Sequence, residues 1–292
     1  MSELLIYING QLVPESQAKI SVFDSAFNFG DAVFEGIRVY AGRVLALDEH
    51  LDRLYESAKA VAINVPLSKA ELRAAILDWL RANNLRDNFH FRPIITRGER
   101  RPPRVDPRFC AGPANIVFVG GAIAPSKFAG LRVVTASIRR IPPEALDSKI
   151  KSGNYLNNVL ARLEAIRQSA DDALMYDTHG FLAEASASNV FLVRRGELLT
   201  PYPKSCLEGI TRSTVMQIGQ DLGTRVRERD ITPAEVYSAE EVFLCGTGAE
   251  ITPVIQVDGR EIGNGQPGAL TRVIADCYLE HARSHGVPIY EA

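Results

Sequence analysis

Apolar and polar positions near the N-terminus trace a hairpin. The run Leu4 to Ile8 and the pair Leu12-Val13 flank Asn9-Gly10, and an Asn-Gly pair between apolar runs is a strong short-range hairpin signal. A second hairpin is expected from Ile37-Tyr40 through Ala41-Gly42 into Val44-Leu47. The period then changes. Leu51, Leu54, Tyr55, Ala58, Val61 and Ala62 recur at helical spacing between Asp48 and Ile63, with Asp48 as the expected cap. Ser68 and Glu71 form a capping-box pair before Leu72, Ile76, Leu77 and Leu80, so a second helix follows directly. Strand patterns resume at Phe89-Thr96 and Ile116-Val119.

The stretch from Gly120 to Leu131 gathers Gly, Pro and Ser ahead of a fresh strand at Val133-Ala136. It divides the chain into a small N-terminal domain, 1–120, a linker, 121–131, and a larger C-terminal domain, 132–292. In the second half, strands at Ala173-Tyr176, Asn189-Val193, Val242-Leu244 and Val254-Val257 alternate with helical patterns at Asn154-Gln168, Thr211-Leu222 and Gly268-His285. Thr232 and Glu235 make another capping box. No fixed-period repeat or low-complexity tract is visible. The expected class is α+β, a small α/β domain followed by a larger, strand-rich α/β domain.

Composition narrows the function. A length of 292 residues suits about two domains. The 33 Lys+Arg against 35 Asp+Glu leave a net charge of −2, and the arginines are scattered, so no nucleic-acid partner is expected. The longest apolar stretch, Ala114 to Ala124, falls far short of the ~20 residues that cross a bilayer, so no membrane partner is expected either. The start MSELLIYING has an acid where a signal peptide would have its basic residues. Cys110, Cys206, Cys245 and Cys277 lie far apart with no CxxC pair, which points to a reducing cytoplasm. His281 and His285 have the i,i+4 spacing of zinc ligands but lack the glutamate after His281 and a third ligand, so no metal is expected.

Lysines are few, and two of them stand close together in Asp147-Ser-Lys-Ile-Lys-Ser-Gly-Asn-Tyr155, just before a helix. Most lysines are solvated surface charges. The alternative is an amine whose pKa is lowered by a neighbouring cation and partial burial, and Lys149 and Lys151 could each be the other's neighbour. Such an amine forms Schiff bases with carbonyl compounds, including pyridoxal phosphate (PLP).

Six ordered segments then carry a resemblance: Phe29-Gly-Asp-Ala-Val-Phe-Glu-Gly-Ile-Arg38, His50-Leu-Asp-Arg-Leu-Tyr-Glu-Ser57, Lys151-Ser-Gly-Asn-Tyr-Leu-Asn-Asn158, Leu182-Ala-Glu-Ala-Ser-Ala-Ser-Asn-Val-Phe191, Leu207-Glu-Gly-Ile-Thr-Arg212 and Gly246-Thr-Gly-Ala-Glu-Ile-Thr-Pro253. Together they resemble the class IV aminotransferases of PLP fold type IV. That family includes branched-chain aminotransferases, D-amino acid aminotransferases, (R)-amine transaminases and aminodeoxychorismate lyases. The resemblance covers nearly the whole chain and implies a two-domain PLP enzyme that works as a homodimer.

It also implies residue roles. Lys151 is the Schiff-base lysine, with Lys149 the runner-up. The Lys-x-x-Asn spacing matches the D-amino acid and (R)-amine branches, whereas branched-chain enzymes usually have one more residue between lysine and asparagine. Glu184 stands where the family keeps a carboxylate for the pyridine nitrogen. Its neighbours Phe181, Leu182, Ala183 and Ala185 favour partial burial, so a cationic partner is expected there. Tyr155 resembles the tyrosine that hydrogen-bonds the cofactor O3′. Arg53 points to the phosphate, and Gly209, Ile210 and Thr211 open a helix whose N-terminus is an anion site. Thr247, after Gly246, adds a hydroxyl, and Leu207 packs on the pyridine face. Thr247 and Gly248 would offer backbone amides to the substrate carboxylate, and Phe29 and Phe34 would line an apolar pocket.

Subfamily signals are mixed. Arg92 in His90-Phe-Arg-Pro93 resembles the branched-chain Tyr-x-Arg-Pro, whose arginine helps bind dicarboxylates such as 2-oxoglutarate, but His90 replaces the tyrosine. The loop Arg97-Gly-Glu-Arg-Arg-Pro-Pro-Arg104 looks more like the D-amino acid branch, with Arg100, Arg101 and Arg104 as carboxylate-trap candidates or solvated charges. Phe34, where D-specific enzymes have tyrosine, points away from that branch. The reading taken forward is a ping-pong aminotransferase that moves an amino group between an apolar, branched-chain-like amino acid and a 2-oxo acid such as 2-oxoglutarate. The alternatives are a D-amino acid or (R)-amine transaminase, an aminodeoxychorismate-type lyase, and a decayed homologue that only binds.

Overall fold

The structure, a computed structural model, describes residues 3–124 and 128–290. The chain runs β1 (Leu5–Ile8), β2 (Gln11–Pro14), α1 (Ser25–Phe29), β3 (Ala32–Phe34), β4 (Ile37–Tyr40), β5 (Arg43–Val44), α2 (Leu47–Ala60), α3 (Lys69–Ala82), β6 (Phe89–Thr96), β7 (Asn115–Ala122) and β8 (Leu131–Thr135). It continues through α4 (Leu156–Arg167), β9 (Asp172–Tyr176), β10 (Leu182–Ala185), β11 (Asn189–Arg194), β12 (Glu197–Thr200), α5 (Ile210–Asp221) and β13 (Arg225–Glu228). The last elements are α6 (Pro233–Tyr237), β14 (Glu241–Gly246), β15 (Glu250–Val257), β16 (Arg260–Glu261), α7 (Ala269–Ser284) and β17 (Val287–Pro288). Among the described residues no helix is long and apolar enough to cross a membrane.

Two compact units emerge. The first is Met1–Ala124 with Ile150–Asn154 and Ala282–Ala292, and the second is Pro125–Lys149 with Tyr155–His281. The sequence pattern assigns 150–154 and the C-terminus to the second domain. Backbone pairing ties them to the first unit instead: Ser152 bridges to Val33, and β17 pairs with β5. Of the linker expected at 121–131, residues 125–127 lie outside the described residues, and β7 already takes in 121 and 122.

The first unit is an antiparallel sheet in the order β17-β5-β4-β6-β7-β1-β2, with β3 also on β6. The Asn9-Gly10 turn joins β1 and β2 as expected. Along β6, buried residues alternate with more exposed ones: Phe89, Phe91, Pro93 and Ile95 are buried, His90 and Ile94 are intermediate, and Arg92 is exposed. Phe89, Phe91 and Ile95 join Val33, Ile37, Val39, Ile116 and Phe118 in one core. Leu47, Leu51, Leu54 and Ala58 of α2 and Leu72, Ile76, Trp79 and Leu80 of α3 pack on that face. Trp79 meets Phe91 and Phe118 edge-on, and its Nε1 donates to the Leu5 carbonyl at 2.6 Å.

Helix α2 starts at Leu47 after Ala46 in the left-handed region, so Asp48 is not the cap. Asp48 sits in the first turn, where a negative charge suits the helix dipole, and accepts from Arg73 Nε at 3.0 Å. The Ser68–Glu71 capping box forms as expected.

The second unit is a mixed sheet in the order β10-β9-β8-β15-β14-β11-β12-β13, with β16 on β15. Strands β9 and β11 are almost wholly buried, as continuous apolar runs require when both faces of a sheet are covered. Ala161 and Ala165 of α4 cover Val134, Ala173 and Met175 on one face. Leu174, Tyr176, Val190, Leu192 and Leu244 pack with Val236 of α6 in another cluster.

Candidate active site

In the first unit the sheet face opposite the core carries the chemistry. Arg38 pairs in register with His90, Phe34 pairs with Ile94, and Arg92 lies two residues beyond His90 on the same face. The half-buried Phe34 ring has Lys151 Nζ 4.8 Å from its centroid and the Arg92 guanidinium at 5.1 Å, a cation–π arrangement with two cations on one ring. Phe34 also donates its backbone N–H to the Lys151 carbonyl at 2.9 Å, while the Lys151 N–H donates to Ser57 Oγ at 3.2 Å. Lys151 is thus held at both ends of its backbone with its amine over an aromatic face. Lys149, by contrast, is exposed and lies 3.9 Å from Glu208.

Next to Phe34 the chain buries a charge. Glu35, fully out of solvent, accepts from Arg53 Nε at 2.7 Å and Nη2 at 2.8 Å, and its Oε2 lies 2.7 Å from His50 Nδ1. Burial alone would push its carboxyl up, but the hydrogen bonds and charges of Arg53 and His50 outweigh it and hold the group at about 2. The carboxylate is therefore ionised, and His50 donates through Nδ1. His90 is shifted the other way. Burial, then the charges of Arg92, Arg38, Lys151 and His50, push its imidazole down to about 4, so it is neutral at physiological pH. Gly36 passes so close that a Cβ there would stand 3.0 Å from His90 Nε2. Phe29 is separate in its contacts: its ring lies under the Arg100 guanidinium at 4.9 Å.

In the second unit Glu184 is buried on β10, and Arg140 is the cation its burial demanded, with Nε 2.9 Å from Oε1. A register shift between Leu182 and Glu184 marks a bulge, which re-aims the side chain. Arg140 is itself fixed by Asn157 Oδ1 at 2.7 Å, Ser148 Oγ at 2.9 Å and the Ser205 carbonyl at 3.2 Å. Leu207 N–H donates to Glu184 Oε2 at 3.3 Å, and its carbonyl accepts from Asn189 Nδ2 at 2.8 Å. Tyr155, half-buried, stands at the N-cap position of α4, two residues before Asn157.

Gly209 caps α5, a helix of 12 residues, and a Cβ there would overlap Asn189 Oδ1. Ile210 and the buried Thr211 form the first turn, so their N–H groups sit at the positive end of the dipole. Asn189 pairs with Cys245, the neighbour of Gly246, and the turn Thr247-Gly248-Ala249 follows. Glu184, Leu207, Gly209, Thr211 and the 246–248 turn are therefore linked through Asn189 and its neighbours. The set fits a phosphorylated pyridine: a paired carboxylate for the ring nitrogen, and a helix N-terminus stripped to Gly209.

The loop arginines are engaged locally. Arg97 grips Asp31 through Nε and Nη2 at 2.7 and 3.0 Å, and the buried Arg100 reaches the same carboxylate and the carbonyls of Arg104 and Val105. Arg101 stacks on Phe23, and Arg104 on Phe109.

Reading the sequence alone missed Glu35, His50, Ser57 and Arg140. The first three had a signal: a lone carboxylate in the apolar run Val33 to Val39, and three polar residues, His50, Arg53 and Ser57, on one face of α2 at i, i+3 and i+7. Arg140 had none, since it lies 44 residues from its partner.

A lysine amine over an aromatic wall in one unit, and a carboxylate–arginine pair beside a helix N-terminus in the other, are the parts a PLP-dependent enzyme needs. The family model for amino-transferase class IV matches residues 32–257, and the chain belongs to that family. It is a transaminase with pyridoxal phosphate as its cofactor. A Methanocaldococcus jannaschii relative with the provisional name branched-chain-amino-acid aminotransferase is 42% identical, over 98% of this chain and 99% of its own. A branched-chain aminotransferase of Thermoproteus uzoniensis, solved with norvaline, superposes with a TM-score of 0.91 at 34% identity, covering 99% of this chain and 100% of that one. The branched-chain amino acid aminotransferase of Thermobaculum terrenum, solved in its PLP-form, gives 0.87 at 31% identity, covering 97% and 94%.

Proposed function

We propose that this aminotransferase exchanges an amino group between a branched-chain amino acid and a 2-oxo acid such as 2-oxoglutarate, in two ping-pong half-reactions with Lys151 as the base. The observation that carries the reading is the Phe34 ring with Lys151 Nζ 4.8 Å and the Arg92 guanidinium 5.1 Å from its centroid: an apolar wall beside the reactive amine, with a cation within reach. The wall suits an aliphatic side chain, and the guanidinium suits the second carboxylate of a dicarboxylic partner. The relatives' names support the same substrates.

When bound, pyridoxal phosphate supplies the electron sink for charge developing at the substrate Cα. Lys151 Nζ collects the Cα proton and hands it on, a task for one flexible amine. Glu184, braced by Arg140, would keep a proton on the ring nitrogen. Tyr155 would donate to O3′, Leu207 would pack on the ring, and Arg53, Thr211 and the first N–H groups of α5 would hold the phosphate. Backbone amides at Thr247 and Gly248 take the substrate carboxylate.

A homodimer is supported by an exposed apolar stripe on α4, where Leu156, Val159, Leu160, Leu163 and Ile166 are 69, 49, 41, 40 and 61% accessible. The four free cysteines suit the cytoplasm.

The test is a half-reaction panel on holoenzyme, following loss of the visible absorbance of lysine-bound cofactor with L-leucine, L-glutamate, D-alanine and (R)-1-phenylethylamine. L-Leucine and L-glutamate should discharge it. Fast reaction with D-alanine or the amine and none with L-leucine would overturn the substrate assignment. In the same assay Lys151→Ala should lack the band and Lys149→Ala should keep it, and the reverse would reassign the lysine.

A further inference from the structure

We infer that Glu35, anchored by His50, is a positioning residue that holds the Arg53 guanidinium in the orientation needed to receive the cofactor phosphate. The inference rests on the proposed role of Arg53 as a phosphate ligand.

The geometry supplies the argument. Glu35 takes Arg53 side-on, through Nε and Nη2 at 2.7 and 2.8 Å. That pairing fixes the plane of the guanidinium and turns its other edge, Nη1 with the second N–H of Nη2, away from the carboxylate. Arginine and phosphate pair best through two parallel N–H bonds, so a guanidinium with its plane already set meets the phosphate through that second edge. His50 donates to Oε2 of the same carboxylate at 2.7 Å, the oxygen that also accepts from Arg53 Nη2, so Glu35 cannot swing to follow Arg53. The backbone holds all three groups, two of them on a helix and Glu35 just after β3. His50 and Arg53 stand one turn apart on α2, and Glu35 is fixed at its backbone, donating its N–H to the Pro93 carbonyl at 3.0 Å.

Stability alone is a poor account of this arrangement. A buried ion pair is often matched or bettered by apolar side chains of similar volume, because desolvation cancels most of the attraction. Glu35 is wholly buried, and the side chains of His50 and Arg53 are 3 and 14% accessible. What the pair does provide is restraint of a long side chain. Holding an arginine still costs about 1.5–2 kcal/mol of rotamer entropy, and meeting that cost during folding rather than during binding corresponds to roughly 10- to 30-fold in affinity.

The sign of the effect separates positioning from simple charge. Removing a carboxylate near a phosphate dianion should tighten binding if only Coulomb forces matter. Positioning predicts the opposite. The experiment titrates cofactor-free enzyme with pyridoxal phosphate, and separately with pyridoxal, which lacks the phosphate. Glu35→Gln should weaken pyridoxal phosphate about 10- to 30-fold, leave pyridoxal unchanged, and shift the phosphorus-31 resonance of bound cofactor. In an Arg53→Ala background the same change should have no further effect. If Glu35→Gln fails to fold, His50→Gln carries the test, with a weakening of about threefold or more that vanishes without Arg53. Tighter or unaltered binding of pyridoxal phosphate, or equal weakening of pyridoxal, overturns the inference. If Arg53→Ala itself binds pyridoxal phosphate as tightly as the parent, it is the role of Arg53 that fails.

Discussion

Replacing Arg140 by methionine removes the guanidinium paired with Glu184 while nearly preserving volume. The two groups are 2.9 Å apart and each is more than nine-tenths buried. At an effective dielectric of about 20, two unit charges at that distance attract by about 6 kcal/mol. Part of this offsets the desolvation of both groups. The expected loss on breaking one side of a buried pair is therefore about 3–5 kcal/mol. The bonds from Arg140 to Asn157, Ser148 and the Ser205 carbonyl are lost as well, which places the variant toward the upper end. The assay is urea unfolding of the cofactor-free protein at neutral pH and again near pH 5. A buried carboxylate without its guanidinium favours the protonated form, so its folded pKa rises above the unfolded one. The deficit should therefore be largest at neutral pH and shrink as pH falls. Adding Glu184→Gln removes the stranded charge, and the double variant should be more stable than Arg140→Met alone. A single variant within about 1 kcal/mol of the parent, or a double variant showing the sum of two losses, would refute this electrostatic account.

The same sign reasoning gives the acid limb of stability. Glu35 at about 2, against an ordinary 4.5, contributes stability that is complete above about pH 4.5 and lost as pH falls toward 2. His90 at about 4, against 6.5, makes the unfolded chain take up the proton first, so stability also declines from about pH 6.5 to 4. Thermal denaturation across this range should show His90→Asn flattening the upper part and Glu35→Gln the lower, and unchanged slopes in both would count against these assignments. Gly209→Ala places a Cβ onto Asn189 Oδ1 and must displace that side chain. It should cost about 1–3 kcal/mol in urea unfolding and weaken pyridoxal phosphate binding, whereas a neutral variant would mean that the α5 entrance tolerates bulk.

Elements with a sustained period are legible in the chain to within a few residues, from the Asn9-Gly10 hairpin to α3 and β6. Short strands such as β3, β13 and β17 are not, because two to four residues carry no period, and their positions follow from pairing with distant partners. The site divides along the same line. Lys151 and Glu184 stand in ordered motifs, and the expectation that Glu184 needs a cation follows from its apolar neighbours. Which cation is not legible, because it depends on how β10 bulges and where the 139–148 segment returns. Similarly, Arg100, Arg101 and Arg104 look available for a carboxylate in the sequence, yet Arg100 is held by Asp31, and Arg101 and Arg104 stack on Phe23 and Phe109.

The alternation along β6 has a consequence for variation. Phe89, Phe91 and Ile95 belong to the core, whereas His90 and Arg92 stand on the opposite face beside Phe34 and Lys151. On the role proposed for Arg92, substrate preference and folding are written in interleaved positions of a single strand. Neither position 90 nor position 92 belongs to the apolar core that keeps the strand in place, so a change at either leaves that core intact. A lineage, or a library randomised at those two positions, could therefore explore new acceptors while the scaffold stays constant.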